Sequence, residues 1–326
     1  MLPRRSLGSD GREVSVLGLG GNVFGPPRLD LAATRRVVDA ASDLGVDLVD
    51  TANVYNGGAS EAFLGEVLER RRDRWVVATK FNLRGLGDED LAAHVRGQLD
   101  ESLRRLRTDR IDLYQLHHAP ADDVDMARLL ELLDSFVRAG TVRAIGASGF
   151  SAWRLAECAS LCRDNGWTPF ITVQDYWHLL ARGIETEVVP YAGRTGTGVI
   201  PFHPLGGGYL TGKYAPGVPR PEGTRGAAGS GIIDALDTPE VHQRVLRLQE
   251  IASAHGRTVG ELAIAWLADR PVVSTVIAGA STPDQVALNV AGASWVLDDE
   301  VRAAVDAVVP PPLGPETLPY SMPGRR

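Results

Sequence analysis

Asp50-Thr51-Ala52-Asn53-Val54-Tyr55 ends a short apolar run in which Val46, Leu48 and Val49 read as a buried strand. Two later runs end in the same way. Residues 75–79 lead into Lys80, and residues 111–116 lead into His117. A carboxylate, a phenol, an amine and an imidazole therefore follow three successive strand-like segments. In a (β/α)8 barrel the ends of successive strands gather at one face, where such enzymes keep their chemistry. Any one of these residues alone reads as a solvated loop charge or a satisfied buried polar group. Together, in this order, they read as a site.

Outward from these strand ends the chain alternates between two periods. Residues 4–16 predict a hairpin turning at Ser9-Asp10-Gly11. Strands are expected at 16–20, 46–49, 75–79, 111–116, 142–147, 170–173, 198–202 and 272–277. Between them lie helical patterns. Asp30 caps one with Val37, Val38 and Ala41 on its apolar face, Ser60 starts a second, and Asp88 precedes Leu91, Val95, Leu99, Leu103 and Leu106. Leu129, Leu133 and Phe136 mark a fourth, and Ser151 opens a fifth through Leu155 and Cys158. Further helices are expected near 188–192, 239–254, 259–269, 283–291 and 298–308. Eight β-then-α units predict a single (β/α)8 TIM barrel domain over 1–326 rather than a doubly wound sheet. Two stretches break the rhythm. The Gly- and Pro-rich loop 204–237 reads as a lid or a disordered insertion, and the Pro-rich tail 310–326 excludes helix.

Composition removes several function classes. The formal charge is 34 − 41 = −7, and no basic block is long enough for nucleic acid. Arg70-Arg71-Arg72 with Arg74 reads as a solvated helix end. Cys158 and Cys162 stand i,i+4 on one expected helix, where a bridge between them is geometrically unfavourable, and two thiols make no metal site. No apolar run reaches membrane-spanning length, and no signal-peptide core follows Met1. A cytoplasmic location is the expectation. Gly207-x4-Gly212-Lys213 fits most of a P-loop, yet Tyr214 stands where Ser or Thr would hold Mg²⁺, and Pro216 and Pro219 forbid the required helix. No G-x-G-x-x-G follows a strand.

The four polar residues make chemical sense as an acid–base set. An unperturbed tyrosine has a pKa of about 10, so an adjacent ammonium is needed to lower it. Lys80 supplies that charge and Asp50 keeps it protonated. Tyr55 then exchanges a proton with a carbonyl or alcohol oxygen that His117 orients. Nothing in the set can supply a hydride, so a nicotinamide is implied.

Asp50, Tyr55, Lys80 and His117 match the catalytic tetrad of the aldo-keto reductase superfamily in order, spacing and strand placement. The chain resembles that family from about Leu17 to Asn289, most closely its potassium-channel β-subunit-like branch. The resemblance implies reduction of a small aldehyde or ketone with NADP(H) rather than NAD(H). It implies a cofactor site built from Gly20, Gly21 and Asn22 after strand one, together with Asp50. Ser148 and Gln174 would bind the carboxamide, and Phe202 would stack on the ring. His203, Pro204, Leu205, Gly206 and Gly207 would hold the pyrophosphate. Lys213 and Arg225 would reach the 2′-phosphate, with Gly279, Ser281, Gln285 and Asn289 on the eighth-helix side. Gly149 replaces the family's Asn, Phe202 its Tyr or Trp, and Ser281 its Arg or Lys. A substrate rim of Phe24, Val54, Phe81, His118 and Trp177 is expected. Two other classes fit less well: a nucleotide-binding, redox-sensing regulatory subunit, and a Schiff-base aldolase whose Lys80 Asp50 would push the wrong way.

Overall fold

The computed structural model describes residues 2–84, 86, 90–121, 124–215 and 217–312. An antiparallel hairpin comes first, β1 (Arg4–Ser6) with β2 (Glu13–Ser15). A closed parallel barrel follows, made of β3 (Leu17–Gly20), β4 (Leu48–Asp50), β5 (Val76–Phe81), β6 (Leu113–Leu116), β7 (Ile145–Ser148), β8 (Phe170–Tyr176), β9 (Gly198–Phe202) and β10 (Val276–Gly279). Strand β10 pairs with β3, Val276 opposite Leu17 through Gly279 opposite Gly20, and this closes the ring. The fold is the (β/α)8 TIM barrel that the alternation predicts. Some edges differ: β5 runs on through Lys80 and Phe81, because these pair with Gln115 and Leu116 of β6. Strand β10 begins later than expected, and Val273 joins only by a bridge to Val199.

The helices are α1 (Leu31–Asp43), α2 (Ala59–Leu68), α3 (Leu91–Leu106), α4 (Met126–Arg138), α5 (Ala152–Asn165), α6 (Val188–Thr195), α7 (Gly231–Leu236), α8 (Pro239–Ala254), α9 (Val259–Ala268), α10 (Pro283–Ala293) and α11 (Asp299–Val308). Local chemistry sets their starts. The Asp30 carboxylate accepts from the Ala33 N–H at 2.7 Å and opens α1, and Thr258 and Glu261 form a reciprocal cap on α9. Helix α2 departs from expectation. Its N-cap is Gly58, at φ +91°, whereas Ser60 lies inside the first turn with its hydroxyl donating to the Gly21 carbonyl at 2.8 Å. Asp88 lies outside the described residues, and the Asp90 carboxylate accepts from Ala92 at the start of α3. The loop 204–237 contains a 3-10 turn, Gly206–Thr211, and α7. Of the tail, residues 313–326 lie outside the described residues.

Within the arginine run Arg70 and Arg74 are exposed, as a solvated helix end would be, but Arg71 and Arg72 are not. Arg71 pairs with Asp39, and Arg72 donates to Asp112 Oδ2 at 2.6 Å with its side chain largely covered. Asp112 also accepts from the Val77 N–H at 3.0 Å and from Arg12 at 3.2 Å, so one buried carboxylate ties β5 to the hairpin turn. A buried carboxylate persists only with such partners.

The hairpin seals one end of the barrel. Leu7 and Val14 pack against Leu48, Ala78, Leu113, Ala144, Ile171, Ile200 and Ile277 in one buried cluster. Ser274 Oγ donates to the Leu7 carbonyl at 2.9 Å. Gly8 and Gly198 allow this close approach, since a Cβ on either would collide with a carbonyl oxygen, of Ile171 and Leu7 respectively. The opposite face, at the carboxyl ends of the strands, is open for a ligand. Leu7→Ala should therefore cost about 2–5 kcal/mol, read as a lower urea midpoint. An unchanged midpoint would mean that the hairpin contributes nothing as a plug.

Candidate active site

Strand register brings the four sequence-selected residues together. Asp50 lies opposite Ala78 and Lys80 opposite Gln115. Beyond β4 the chain keeps bonding to β5: the Thr51 N–H donates to the Ala78 carbonyl at 2.8 Å and the Asn53 N–H to the Lys80 carbonyl at 3.2 Å. Lys80 Nζ consequently donates to Asp50 Oδ2 at 2.6 Å and to the Thr51 carbonyl at 2.8 Å, and lies 3.4 Å from Tyr55 Oη. Lys80 is wholly buried. The second oxygen of Asp50 accepts from Gln115 Nε2 at 3.1 Å and Gln174 Nε2 at 3.0 Å. His117 presents its ring edge-on to Tyr55 with centroids 5.6 Å apart, and His118 stacks on it at 4.5 Å.

Tyr55 stands on an unusual turn. Asn56, Gly57 and Gly58 follow it at φ +49°, +65° and +91°. Glycine takes that region freely, and asparagine tolerates it better than most side chains. The Asn56 amide donates to the carbonyls of Phe24 at 2.6 Å and Asn22 at 3.3 Å. The turn is thereby tied to the loop after β3.

Burial sets the protonation states. It pulls the Lys80 pKa down, yet Asp50 and Tyr55 outweigh it and leave the ammonium above its ordinary value. A Schiff-base lysine needs the opposite shift, since it must lose its proton at working pH. For Tyr55 the order reverses what the sequence suggests. Burial raises the phenol pKa most, Lys80 opposes it and Asp50 adds to it, with a net rise. Tyr55 is a neutral phenol at physiological pH. Burial, then Lys80, His118 and Arg84, push His117 down to about 3, so its ring is neutral. His117 Nδ1 is buried without a hydrogen-bond partner among the described residues.

These groups meet at one end of a cleft of about 780 Å³. Gly20, Gly21, Asn22, Asp50, Ser148, Gln174, Phe202, His203, Pro204, Leu205, Gly207, Lys213, Arg225, Gly279, Ser281, Gln285 and Asn289 all line it, while Gly206 is buried beneath. Gly149 also lines it, at φ +67°, a conformation open to Gly and Asn alike, so the exchange keeps the backbone and removes an amide. The expected substrate rim is mostly elsewhere. His118 lines the cleft, but Phe24, Phe81 and Trp177 are buried in the core and Val54 is exposed outside it. Phe81 follows inward-pointing Lys80 and so faces outward onto Tyr114, at 4.7 Å. Trp177 packs on Trp266 and donates to Glu185 at 2.9 Å. Sequence reading missed Arg28, a cleft residue without a distinguishing signal, and Gln115. Strand alternation could have found Gln115, since it shares a face with Leu113 and His117.

The cleft suits a phosphorylated nucleotide. Gly207 and Gly208, at φ +69° and +107°, bring bare backbone to its wall. Arg225 is half-buried with no carboxylate partner among the described residues, and its nearest polar contact is His203 Nδ1 at 3.4 Å. Burial, and then Arg28, lower its pKa. A guanidinium so placed gains from an anion that satisfies it. Among the described residues no cluster of His, Cys, Asp and Glu could hold a metal ion, and no helix is long and apolar enough to cross a membrane.

The sequence matches the model of the aldo/keto reductase family over residues 16–310. It is 31% identical to the uncharacterized oxidoreductase YrpG of Bacillus subtilis, covering 94% of this chain and 96% of that one. It is 30% identical to a putative voltage-gated potassium channel subunit beta of Schizosaccharomyces pombe, covering 94% and 93%. Aldo-keto reductase AMT2 of Alternaria alternata is 32% identical over 84% of this chain and 82% of its own. The barrel, the mouth cleft and these matches agree: the chain belongs to the aldo/keto reductase family, whose members are oxidoreductases that generally use nicotinamide cofactors.

Proposed function

We propose that the protein reduces an aldehyde or ketone to an alcohol with NADPH, with Tyr55 as the general acid. The reading is carried by one observation: the neutral Tyr55 phenol lies 3.4 Å from the buried Lys80 ammonium, with neutral His117 beside it in the cleft. When bound, the nicotinamide supplies the hydride. Ser148 and Gln174 are its carboxamide partners, and because the Gln174 Nε2 donates to Asp50, its carbonyl oxygen is left to accept. Phe202 is the stacking ring. His117 donates a hydrogen bond to the substrate oxygen and Tyr55 gives it a proton, while Lys80 stabilises the tyrosinate that remains. Alcohol oxidation runs the same proton backwards.

Nucleotide choice follows from the other end of the cleft. The Ser281 N–H donates to Gln285 Oε1 at 2.8 Å, so this backbone donor is used within its own helix start. Recognition of a 2′-phosphate falls to the cations Lys213 and Arg225, with Arg28 also lining the cleft. No carboxylate of the Gly279–Asn289 segment lines the cleft to favour bare ribose hydroxyls. This supports NADP(H). The fission yeast relative's name favours a second reading, a nucleotide-holding regulatory subunit. Tight NADPH binding without turnover of any carbonyl would favour it.

Tyr55→Phe should lower carbonyl reduction by at least about 100-fold with nucleotide affinity nearly unchanged, since only the proton is lost. Full activity in that variant would sink the mechanism. Alcohol oxidation needs tyrosinate, so its rate rises with pH through the Tyr55 pKa. Lys80 lowers that pKa, so Lys80→Met should move the rising limb to higher pH, whereas a pH profile that stayed in place would give Lys80 another role. Arg225→Ala should shrink the ratio of kcat/KM for NADPH over NADH by about tenfold or more. A wild-type preference for NADH would overturn the nucleotide assignment.

A further inference from the structure

The backbone leading to Tyr55 is gripped from outside the cleft. Asn53 donates its N–H to the Lys80 carbonyl, and its own carbonyl accepts from Arg105 Nη1 at 3.0 Å. The Asn53 side chain is also held, donating to Gln98 Oε1 at 2.6 Å. Arg105 and Gln98 both project from α3. The same guanidinium lies on the bare face of Gly58, where an added Cβ would fall inside contact distance of it. Arg105 therefore touches the turn before Tyr55 and after it.

The guanidinium is itself fixed. Glu101 accepts from its Nε at 2.8 Å, and wholly buried Glu61 of α2 lies 3.4 Å from Nη1. The other Glu61 oxygen accepts from Thr79 Oγ1 at 2.6 Å, one residue before Lys80. A planar fork can serve carbonyl and carboxylates together, which an ammonium cannot. Gly57 and Gly58 can leave the left-handed region as freely as they enter it, so contacts from outside the turn are needed to hold it in one shape. Neither Arg105 nor Glu61 lines the cleft.

We infer that Arg105, set by Glu61 and Glu101, is a positioning residue that locks the Tyr55 turn so that the phenol oxygen meets Lys80. The inference rests on Tyr55 being the proton donor. Arg105→Met and Arg105→Lys test it, with two readouts. In amide hydrogen exchange, residues 53–58 of Arg105→Met should exchange at least about tenfold faster than in wild type while β6 and β7 are unchanged. In turnover, kcat for carbonyl reduction should fall about 100-fold in Arg105→Met, as expected for a small misplacement, and partly recover in Arg105→Lys, with the NADPH Kd within about twofold of wild type. Unchanged exchange in residues 53–58 would overturn the inference, as would an unchanged kcat or a Kd that weakens in step with kcat. Should Arg105→Met not fold, Arg105→Lys, which keeps a charge beside Glu61, decides by the same measures. Exchange needs no substrate, so it still judges the positioning role if wild type reduces no carbonyl, the result that would sink the reductase reading instead.

Discussion

The ion pair between Lys80 and Asp50 governs the mouth of this barrel. Burying an ammonium is costly by several kcal/mol, and only a close carboxylate with further partners makes it tenable. Asp50 meets that need at 2.6 Å. It is itself buried and therefore needs the amides of Gln115 and Gln174 on its second oxygen. Four strands thus contribute to one charge-balanced cluster: β4 gives Asp50, β5 Lys80, β6 Gln115 and β8 Gln174. None of these can shift without leaving another unpaired, so the strand register and the geometry at Tyr55 hold each other in place.

The two ends of the barrel solve opposite problems. At the floor, Leu7 and Val14 complete an apolar layer and exclude water. At the mouth the interior turns polar, and Gln115 keeps a buried oxygen atom without a partner among the described residues. Unsatisfied polar groups cost stability. The apolar floor offsets that cost, and division of labour between the ends is the usual pattern of this architecture.

Much of this was legible in the sequence because strand ends carry their chemistry in order. Asp50, Tyr55, Lys80 and His117 are each adjacent to an apolar run whose period is plain. What failed was side rather than place. Phe81 and Trp177 are neighbours of site residues in sequence, and alternation turns them into the core. Ser60 looked like a cap because side-chain chemistry can be read from sequence, whereas the positive φ of Gly58 cannot. Arg71 and Arg72 looked solvated because their partners Asp39 and Asp112 lie far along the chain. The net direction of the Tyr55 pKa shift differs from expectation for a related reason: the ammonium that lowers it is visible in the sequence, but the depth of burial that outweighs it is not.

That reversal bears on the direction of chemistry. A tyrosine lowered far enough to ionise at neutral pH would be a ready base and a poor acid. On the proposed reading, Tyr55 holds its proton until transfer, and Lys80 acts on it chiefly after the proton has left, when the tyrosinate and the ammonium attract most strongly at short range in a water-poor site. Lys80 would therefore favour the product of proton transfer more than the resting phenol, and a group that stabilises the later state lowers the barrier rather than tightening the resting one. Neutral His117 fits the same direction, because it adds a hydrogen bond to the reacting oxygen without a second charge to compete with Lys80. On the proposed reading, neutral Tyr55 and neutral His117 are the forms that can each donate to a carbonyl oxygen.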